Sequence, residues 1–228
     1  MDGLPEGVFV TGTGTEVGKT VVAAAIARTL AAEGRSVAVF KPAATGLEEV
    51  GEADHELLRR AAGSAQSDAE IAPYRYDPPA SPHLAAALAG ERIDPEVLRE
   101  AARAAGEGAG ALVCEGVGGF LVPLADDYLV RDLALDLGLP LVVAASPGLG
   151  TINHTLLTLE AARGAGLEVR AVVLTPWPQA PSEIEASNRE TIAALGAVAV
   201  LTLPHLDLAV PETWPALPLG SMGRFRET

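Results

Sequence analysis

Gly12-Thr13-Gly14-Thr15-Glu16-Val17-Gly18-Lys19-Thr20 follows the apolar run Val8-Phe9-Val10-Thr11 and precedes an alanine-rich stretch of helical length. A strand that enters a glycine-rich turn and leaves as a helix aims backbone N–H groups at an anion. This context predicts a phosphate loop in which Lys19 reaches the terminal phosphates and the Thr20 hydroxyl holds Mg²⁺. The spacing is unusual. Five residues separate Gly12 from Gly18, where the common motif has four between its first glycine and Gly-Lys. The loop is therefore a variant, and Glu16 adds an acid inside it.

Lysine usage supports this reading. The chain carries sixteen basic residues, and only Lys19 and Lys41 among them are lysines. Lysine is a compact charge on a flexible stem, whereas arginine is a broad planar fork. A backbone loop around phosphates has room for the first. Lys41 ends the second apolar run, Val37-Ala38-Val39-Phe40, so both lysines are read as functional cations of a nucleotide-using enzyme.

At 228 residues the chain fits one domain with a substantial core, and with 49% apolar but only 4% aromatic residues that core rests on Ala, Val and Leu. The formal charge of −14 argues against nucleic acid and anionic membranes, which need a basic face. It leaves phosphate ligands open, because a local nest of N–H groups binds anions inside an acidic protein. The single cysteine, Cys114, rules out an internal disulfide or a cysteine-based metal site and is read as a buried small hydrophobe. No cationic start leads into an apolar stretch, and no apolar segment is long enough to span a bilayer. The expected location is cytoplasmic.

Beyond the loop, short apolar runs alternate with helical patterns. Strands are expected at 8–11, 36–41, 112–115, 141–145, 169–174 and 198–203, and helices at 18–33, 95–105, 130–137, 152–164 and 182–195. This alternation predicts an α/β fold, a doubly wound, mainly parallel sheet with helices on both faces, in a single domain spanning 1–228. The proline-bearing stretch 43–82 interrupts the rhythm and suits an excursion that touches substrate. The segment after Pro204 reads as an irregular strap, with 221–228 as a frayed tail.

A second constellation closes the next strand. Val113-Cys114-Glu115 is followed by Gly116-Val117-Gly118-Gly119. An acid at the carboxyl end of a parallel strand sits beside the first loop and can ligate Mg²⁺, and glycines after it allow a ligand to approach the backbone. Asp54 heads a helical stretch and is open to two readings, metal ligand or simple N-cap. His55, His83, His154 and His205 share no metal-type spacing and read as structural or as part of a ligand rim. Trp177 and Trp214 have proline neighbours and read as packing residues.

Four segments in order carry a specific resemblance to dethiobiotin synthetases. The stretch from Val10 to Thr20 is similar to that family's phosphate loop, including the longer spacing. Lys41-Pro42 with Thr45-Gly46 resembles its substrate lysine segment. Glu115-Gly116-Val117-Gly118-Gly119 and Leu149-Gly150-Thr151-Ile152-Asn153-His154-Thr155 resemble its two other signatures.

The resemblance implies a P-loop fold and a reaction in which ATP, CO₂ (or bicarbonate) and 7,8-diaminopelargonate give dethiobiotin, ADP and phosphate through a phosphorylated carbamate. It implies Thr20, Asp54 and Glu115 as Mg²⁺ ligands, Lys19 and Lys41 as catalytic, and Thr13 or Thr15 and Thr45 as neighbours of a carbamate held by Lys41. Thr15, Glu16, Val17, Gly18, Gly116, Val117 and Gly118 would line the nucleotide. Gly119, Gly150, Thr151 and Asn153 would line the substrate, in a homodimer whose residues 150–153 reach the partner's site. One position departs from the family pattern. Relatives place a base-reading Asn after the fifth strand, where this chain has Thr175-Pro176. Base choice is then either relaxed or left to backbone groups near Pro204, His205 and Leu206.

Two other classes share the fold. Partition- or metal-insertion-type ATPase switches carry an extra lysine soon after the first glycine, where this chain has Thr13, Gly14 and Thr15. Cobyrinate-type amide synthetases need a fused glutaminase domain, for which this chain is too short.

Overall fold

The computed structural model describes residues 6–47, 52–217 and 219. The first half runs β1 (Gly7–Gly12), α1 (Lys19–Ala32), β2 (Val37–Phe40), β3 (Ala43–Thr45), α2 (Asp54–Ala62), α3 (Asp68–Ile71), β4 (Tyr74–Tyr76), α4 (Pro82–Leu88) and α5 (Pro95–Gly106). The second continues with β5 (Ala111–Glu115), β6 (Pro123–Ala125), β7 (Tyr128–Leu129), α6 (Val130–Leu137), β8 (Leu141–Ala145), α7 (Thr151–Gly164), β9 (Val169–Trp177), α8 (Glu183–Gly196) and β10 (Ala199–Pro204).

The main sheet has six strands in the order β10-β9-β8-β1-β5-β2, and every pairing within it is parallel. Alternation along the strands divides the core. Val8, Val10, Val39, Val113 and Val142 pack with α1 and α2, whereas Phe9, Phe40, Leu112 and Leu141 turn to the face covered by α5 and α6. Val143, Val172 and Leu174 meet Leu159 of α7 and Ile192 of α8. Strands buried on both faces need apolar side chains at nearly every position. This explains why β1, β2, β5 and β8 read as continuous apolar runs. In α1, Ala23, Ala24, Ala25 and Ala27 are all buried, and their small side chains let the helix lie between the sheet and α2.

Caps and turns place the ends. Asp94 accepts from Glu96 N–H ahead of Pro95, and Ser182 forms a capping box with Glu185 at the start of α8. The open edge of β2 is closed by Gln66, whose amide pairs with both Val39 N–H (2.9 Å) and Val39 C=O (3.1 Å). A side chain that satisfies an edge strand's backbone removes a template for unwanted pairing.

The interruption at 43–82 includes residues 48–51, which lie outside the described residues, and its described part carries regular structure despite the prolines. It contains α2 and α3, and β3 and β4 form a separate parallel pair with Ala43 opposite Tyr74 and Thr45 opposite Tyr76. The strap after β10 buries Leu206, Trp214 and Leu217 on the α1 side of the sheet, and Thr29 Oγ1 accepts from Leu217 N–H at 3.0 Å. The tail at 221–228 lies outside the described residues. Among the described residues, no helix is long and apolar enough to cross a membrane.

Gly7 is set by packing. A Cβ built there would lie 2.1 Å from the Leu112 carbonyl oxygen of β5. The obstacle is backbone inside a central strand pair and cannot rotate away. Gly7→Ala is expected to cost roughly 3 kcal/mol of folding stability. Urea unfolding beside the parent chain checks this, and a loss under about 0.5 kcal/mol would refute it.

Candidate active site

In the main sheet the chain passes from β1 to β2, returns to β5, and then crosses β1 to reach β8. Ligands of open parallel sheets bind beyond the carboxyl ends of the strands at such a reversal. The loop 13–18, Lys41, Glu115 and the turn at 146–150 all lie at or just past the carboxyl ends of these strands.

The phosphate loop is held from several sides. Thr13 N–H donates to Ala144 C=O of β8 at 3.1 Å, so this N–H anchors the loop and is not among the donors left for a phosphate. Gly18, at φ 85°, is the N-cap of α1 and brings no side-chain cap, which leaves the helix's first N–H groups for an anion. A Cβ at Gly18 would also lie 2.5 Å from Thr175 Cγ2, so the end of β9 forms the floor of the loop. Glu16 has φ 59°. A non-glycine residue in the left-handed region costs about 1 kcal/mol or more and is concentrated at functional loops.

The chemistry converges on four elements. Lys19 Nζ donates to Gly14 C=O at 2.8 Å. Thr20 Oγ1 stands 2.9 Å from Asp54 Oδ1 of α2 and 2.8 Å from Glu115 Oε1 of β5. Lys41 Nζ, just past β2, lies 2.8 Å from Asp54 Oδ2 and 2.9 Å from Glu115 Oε1. Glu115 is fully buried, while Asp54 stands at the rim with its side chain 47% exposed.

Burial would lower the Lys41 ammonium, but the charges of Glu115 and Asp54 outweigh it and hold its pKa above the ordinary lysine value. For Asp54, partial desolvation is overcome by Lys41 and the Thr20 hydroxyl, so it ionises more readily than usual. Glu115 goes the other way. Burial, with repulsion from Asp54, exceeds the pull of Lys41 and raises its pKa. Lys19 is lowered by burial, with the Glu115 charge opposing. Of the two acids, Glu115 therefore holds a proton longer, and the divergence follows from its deeper burial.

The donor set fits Mg²⁺. Glu115 Oε2 is buried without a hydrogen-bond partner, and the single Thr20 proton can serve only one of its two carboxylate neighbours at a time. A hard cation that takes oxygen ligands and keeps waters meets both conditions. Among the described residues no three acids, histidines or cysteines gather, and two carboxylates with a hydroxyl suit a metal whose remaining positions go to phosphate and water.

The sequence-predicted residues fall into two groups. Thr20, Lys41, Asp54 and Glu115 are linked directly, and Lys19, bonded to Gly14 C=O, feels the charges of both acids and of Lys41. A Cβ at Gly119 would lie 3.7 Å from Gly14 Cα, so the glycine turn 116–119 touches the phosphate loop. Thr45 lies on β3, four positions beyond Lys41. Gly150 is the N-cap of α7 in the left-handed region, with Thr151 buried and Asn153 exposed. These three stand after β8, and Pro204, His205 and Leu206 stand at or just after the end of β10. Neither set is hydrogen-bonded to the Lys41 cluster among the described residues.

The structure narrows one open reading and moves one strand end. Asp54 is not an N-cap: Ala53 holds that position, and Asp54 opens α2 with its carboxylate turned to Thr20 and Lys41. Thr175 and Pro176 lie inside β9 rather than after it, because β10 resumes pairing past a register shift with Pro204 opposite Trp177. Sequence reading also missed Asn188. Its buried amide donates to Pro147 C=O (2.9 Å) and Gly148 C=O (3.1 Å), tying α8 to the turn before α7. Its signal was a poor helix former in mid-helix, one of only two asparagines in the chain.

A family model described as an AAA domain matches residues 6–213. The chain is similar to the ATP-dependent dethiobiotin synthetase BioD of Bacillus subtilis strain 168, at 36% identity over 91% of this chain and 90% of that protein. The protein of the same name from Rhodococcus erythropolis is 41% identical over 86% of each chain, and that of Anaeromyxobacter dehalogenans strain 2CP-1 is 45% identical over 74% of this chain and 75% of its own. A solved DUF1611 family protein from Anabaena variabilis shares the fold, with a TM-score of 0.51 at 15% identity. That match covers 87% of this chain, which spans about half (53%) of the Anabaena protein.

Proposed function

This chain belongs to the dethiobiotin synthetase family, and on that premise we propose how its residues share the work. The enzyme is an ATP-dependent ligase that forms carbon–nitrogen bonds and makes dethiobiotin from 7,8-diaminopelargonate, CO₂ and ATP. The observation that carries the assignment of roles is the meeting of Thr20, Lys41, Asp54 and Glu115 within hydrogen-bond distance beside the phosphate loop.

In this reading the N–H groups of Thr15, Glu16, Val17 and Gly18 cradle the phosphates, with Gly116, Val117 and Gly118 along the nucleotide. Lys19 stabilises charge on the γ-phosphoryl group as it moves, a task of positioning and electrostatics. Thr20, Asp54 and Glu115 would hold Mg²⁺, which neutralises phosphate charge when bound. Lys41 holds a carbamate formed on one amine of the substrate. Thr13 or Thr15, with Thr45 and Gly119, supplies its hydrogen-bonding surroundings. The carbamate oxygen takes the phosphoryl group, and the second amine then displaces phosphate to close the ureido ring. The relatives favour this over the switch-ATPase alternative.

Gly150, Thr151 and Asn153 complete a partner's substrate site in a homodimer. Support comes from Leu149, 95% exposed at the start of this segment, with Leu157 and Leu195 also exposed on α7 and α8. Large apolar side chains in water suit a covered face. A cytoplasmic location belongs to the same proposal.

The test is ADP release by the purified protein with and without diaminopelargonate and bicarbonate, with dethiobiotin identified by mass. Hydrolysis indifferent to the diamine would sink the reading. Glu115→Gln is expected to raise the Mg²⁺ concentration needed for half-maximal activity by about tenfold or more, since one of two carboxylate ligands is lost. An unchanged requirement would remove Glu115 from the metal site.

Base choice is a separate expectation. Thr175 is buried under Gly18 and Pro176 has no N–H, so neither offers the paired donor and acceptor that reject a wrong base strongly. GTP and CTP should support turnover within roughly tenfold of ATP. A preference for ATP beyond about a hundredfold would show that groups near Pro204, His205 and Leu206 read the base.

A further inference from the structure

We propose that the Lys41 ammonium and the divalent cation are alternative counter-ions for one carboxylate pair, Asp54 and Glu115. The proposal rests on the reading of Thr20, Asp54 and Glu115 as metal ligands. Lys41 Nζ bridges the pair, 2.8 Å from Asp54 Oδ2 and 2.9 Å from Glu115 Oε1. Glu115 Oε1 also faces Thr20 Oγ1 at 2.8 Å. A carboxylate oxygen has two in-plane lone pairs; at Oε1 Lys41 takes one, and the other faces the Thr20 hydroxyl, whose single proton is shared with Asp54 Oδ1.

A cation bound through Oε1 therefore meets Lys41 on the same oxygen, even when Thr20 turns its proton to Asp54. Ligation through the orphaned Glu115 Oε2 spares that oxygen but not the charge. A metal bonded at about 2.1 Å to an oxygen that Lys41 touches lies within about 5 Å of Nζ. One on the other oxygen of the same carboxylate lies within about 7 Å, since the O–O span adds roughly 2 Å. The Lys41 side chain is 4% exposed, so water screens this repulsion poorly.

Lys41 cannot simply withdraw, because a buried ammonium needs an anion. Its release from Asp54 and Glu115 is favourable when another anion takes it, and the substrate carbamate is that anion. One lysine thus balances the acids until a stronger cation claims them, and is then free for the carbamate. Metal and carbamate binding become mutually reinforcing, since each removes the competitor of the other.

The experiment measures Mn²⁺ binding to the nucleotide-free protein by the loss of its free-ion EPR signal. Lys41→Met, which keeps the stem and removes the charge, is expected to bind Mn²⁺ roughly tenfold more tightly than the parent. Glu115→Gln and Asp54→Asn are expected to bind it more weakly. If these two weaken binding while Lys41→Met leaves it equal or weaker, the metal site stands and the competition is refuted. If neither acid variant changes binding, the metal reading itself fails, and the proposal with it. The parent chain supplies a check that needs no variant to fold. Its two lysines give two side-chain ammonium signals after ¹⁵N-lysine labelling, and one should shift as Mg²⁺ saturates the site. Two unmoved signals at saturation would overturn the proposal.

Discussion

Lys19→Ala is expected to lower turnover by about a hundred- to a thousandfold, the loss that follows removal of one preorganised donor from a developing charge. Lys19 is buried at the start of α1, and its ammonium is held over the loop by Gly14 C=O at 2.8 Å. Its stem passes close to the backbone, since a Cβ at Gly12 would lie 2.9 Å from Lys19 Cγ. The bulkier guanidinium has little room there, so Lys19→Arg should restore little despite keeping the charge. Single-turnover phosphate release at saturating ATP reads the effect directly. Retention of more than about a tenth of parental turnover in Lys19→Ala would remove Lys19 from the transfer step.

Lys41→Ala should cause a loss of similar size in diamine-dependent turnover, but through a different ligand. Its ammonium belongs to the acids and, in our reading, to the carbamate, whereas the phosphates belong to the loop and Lys19. Nucleotide binding measured by calorimetry should therefore survive in Lys41→Ala. If that binding vanished while circular dichroism and the unfolding midpoint stayed parental, Lys41 would be a nucleotide ligand and the division of labour would be wrong.

How much of the fold and the site is legible in the amino-acid sequence depends on the distance over which each signal acts. Strands β1, β2, β5 and β8 are readable because burial on both faces demands apolar residues at every step. The start of α8 is readable because Ser182 and Glu185 cap each other three residues apart. The phosphate loop is readable because Gly18 must take a left-handed conformation next to the lysine it precedes. Asp54 is ambiguous, because an acid at a helix start satisfies capping and metal ligation equally well. What separates the two is its approach to Thr20, 34 positions away. The bridge from Lys41 to Glu115 is invisible for the same reason: it depends on β5 inserting between β1 and β2. The Asn188 anchor likewise joins α8 to a turn about 40 positions earlier.

The contact between Thr175 and Gly18 couples two positions that mutation would otherwise explore independently. Gly18 is fixed by its backbone angle, so accommodation falls to residue 175, whose branched methyl fills the space beneath it. An unbranched amide at 175 could gain a hydrogen bond to a base, but it would withdraw that methyl from under the loop. In this chain a substitution at 175 therefore sets a new base contact against the packing beneath Gly18, so the two effects are read together in any screen of that position.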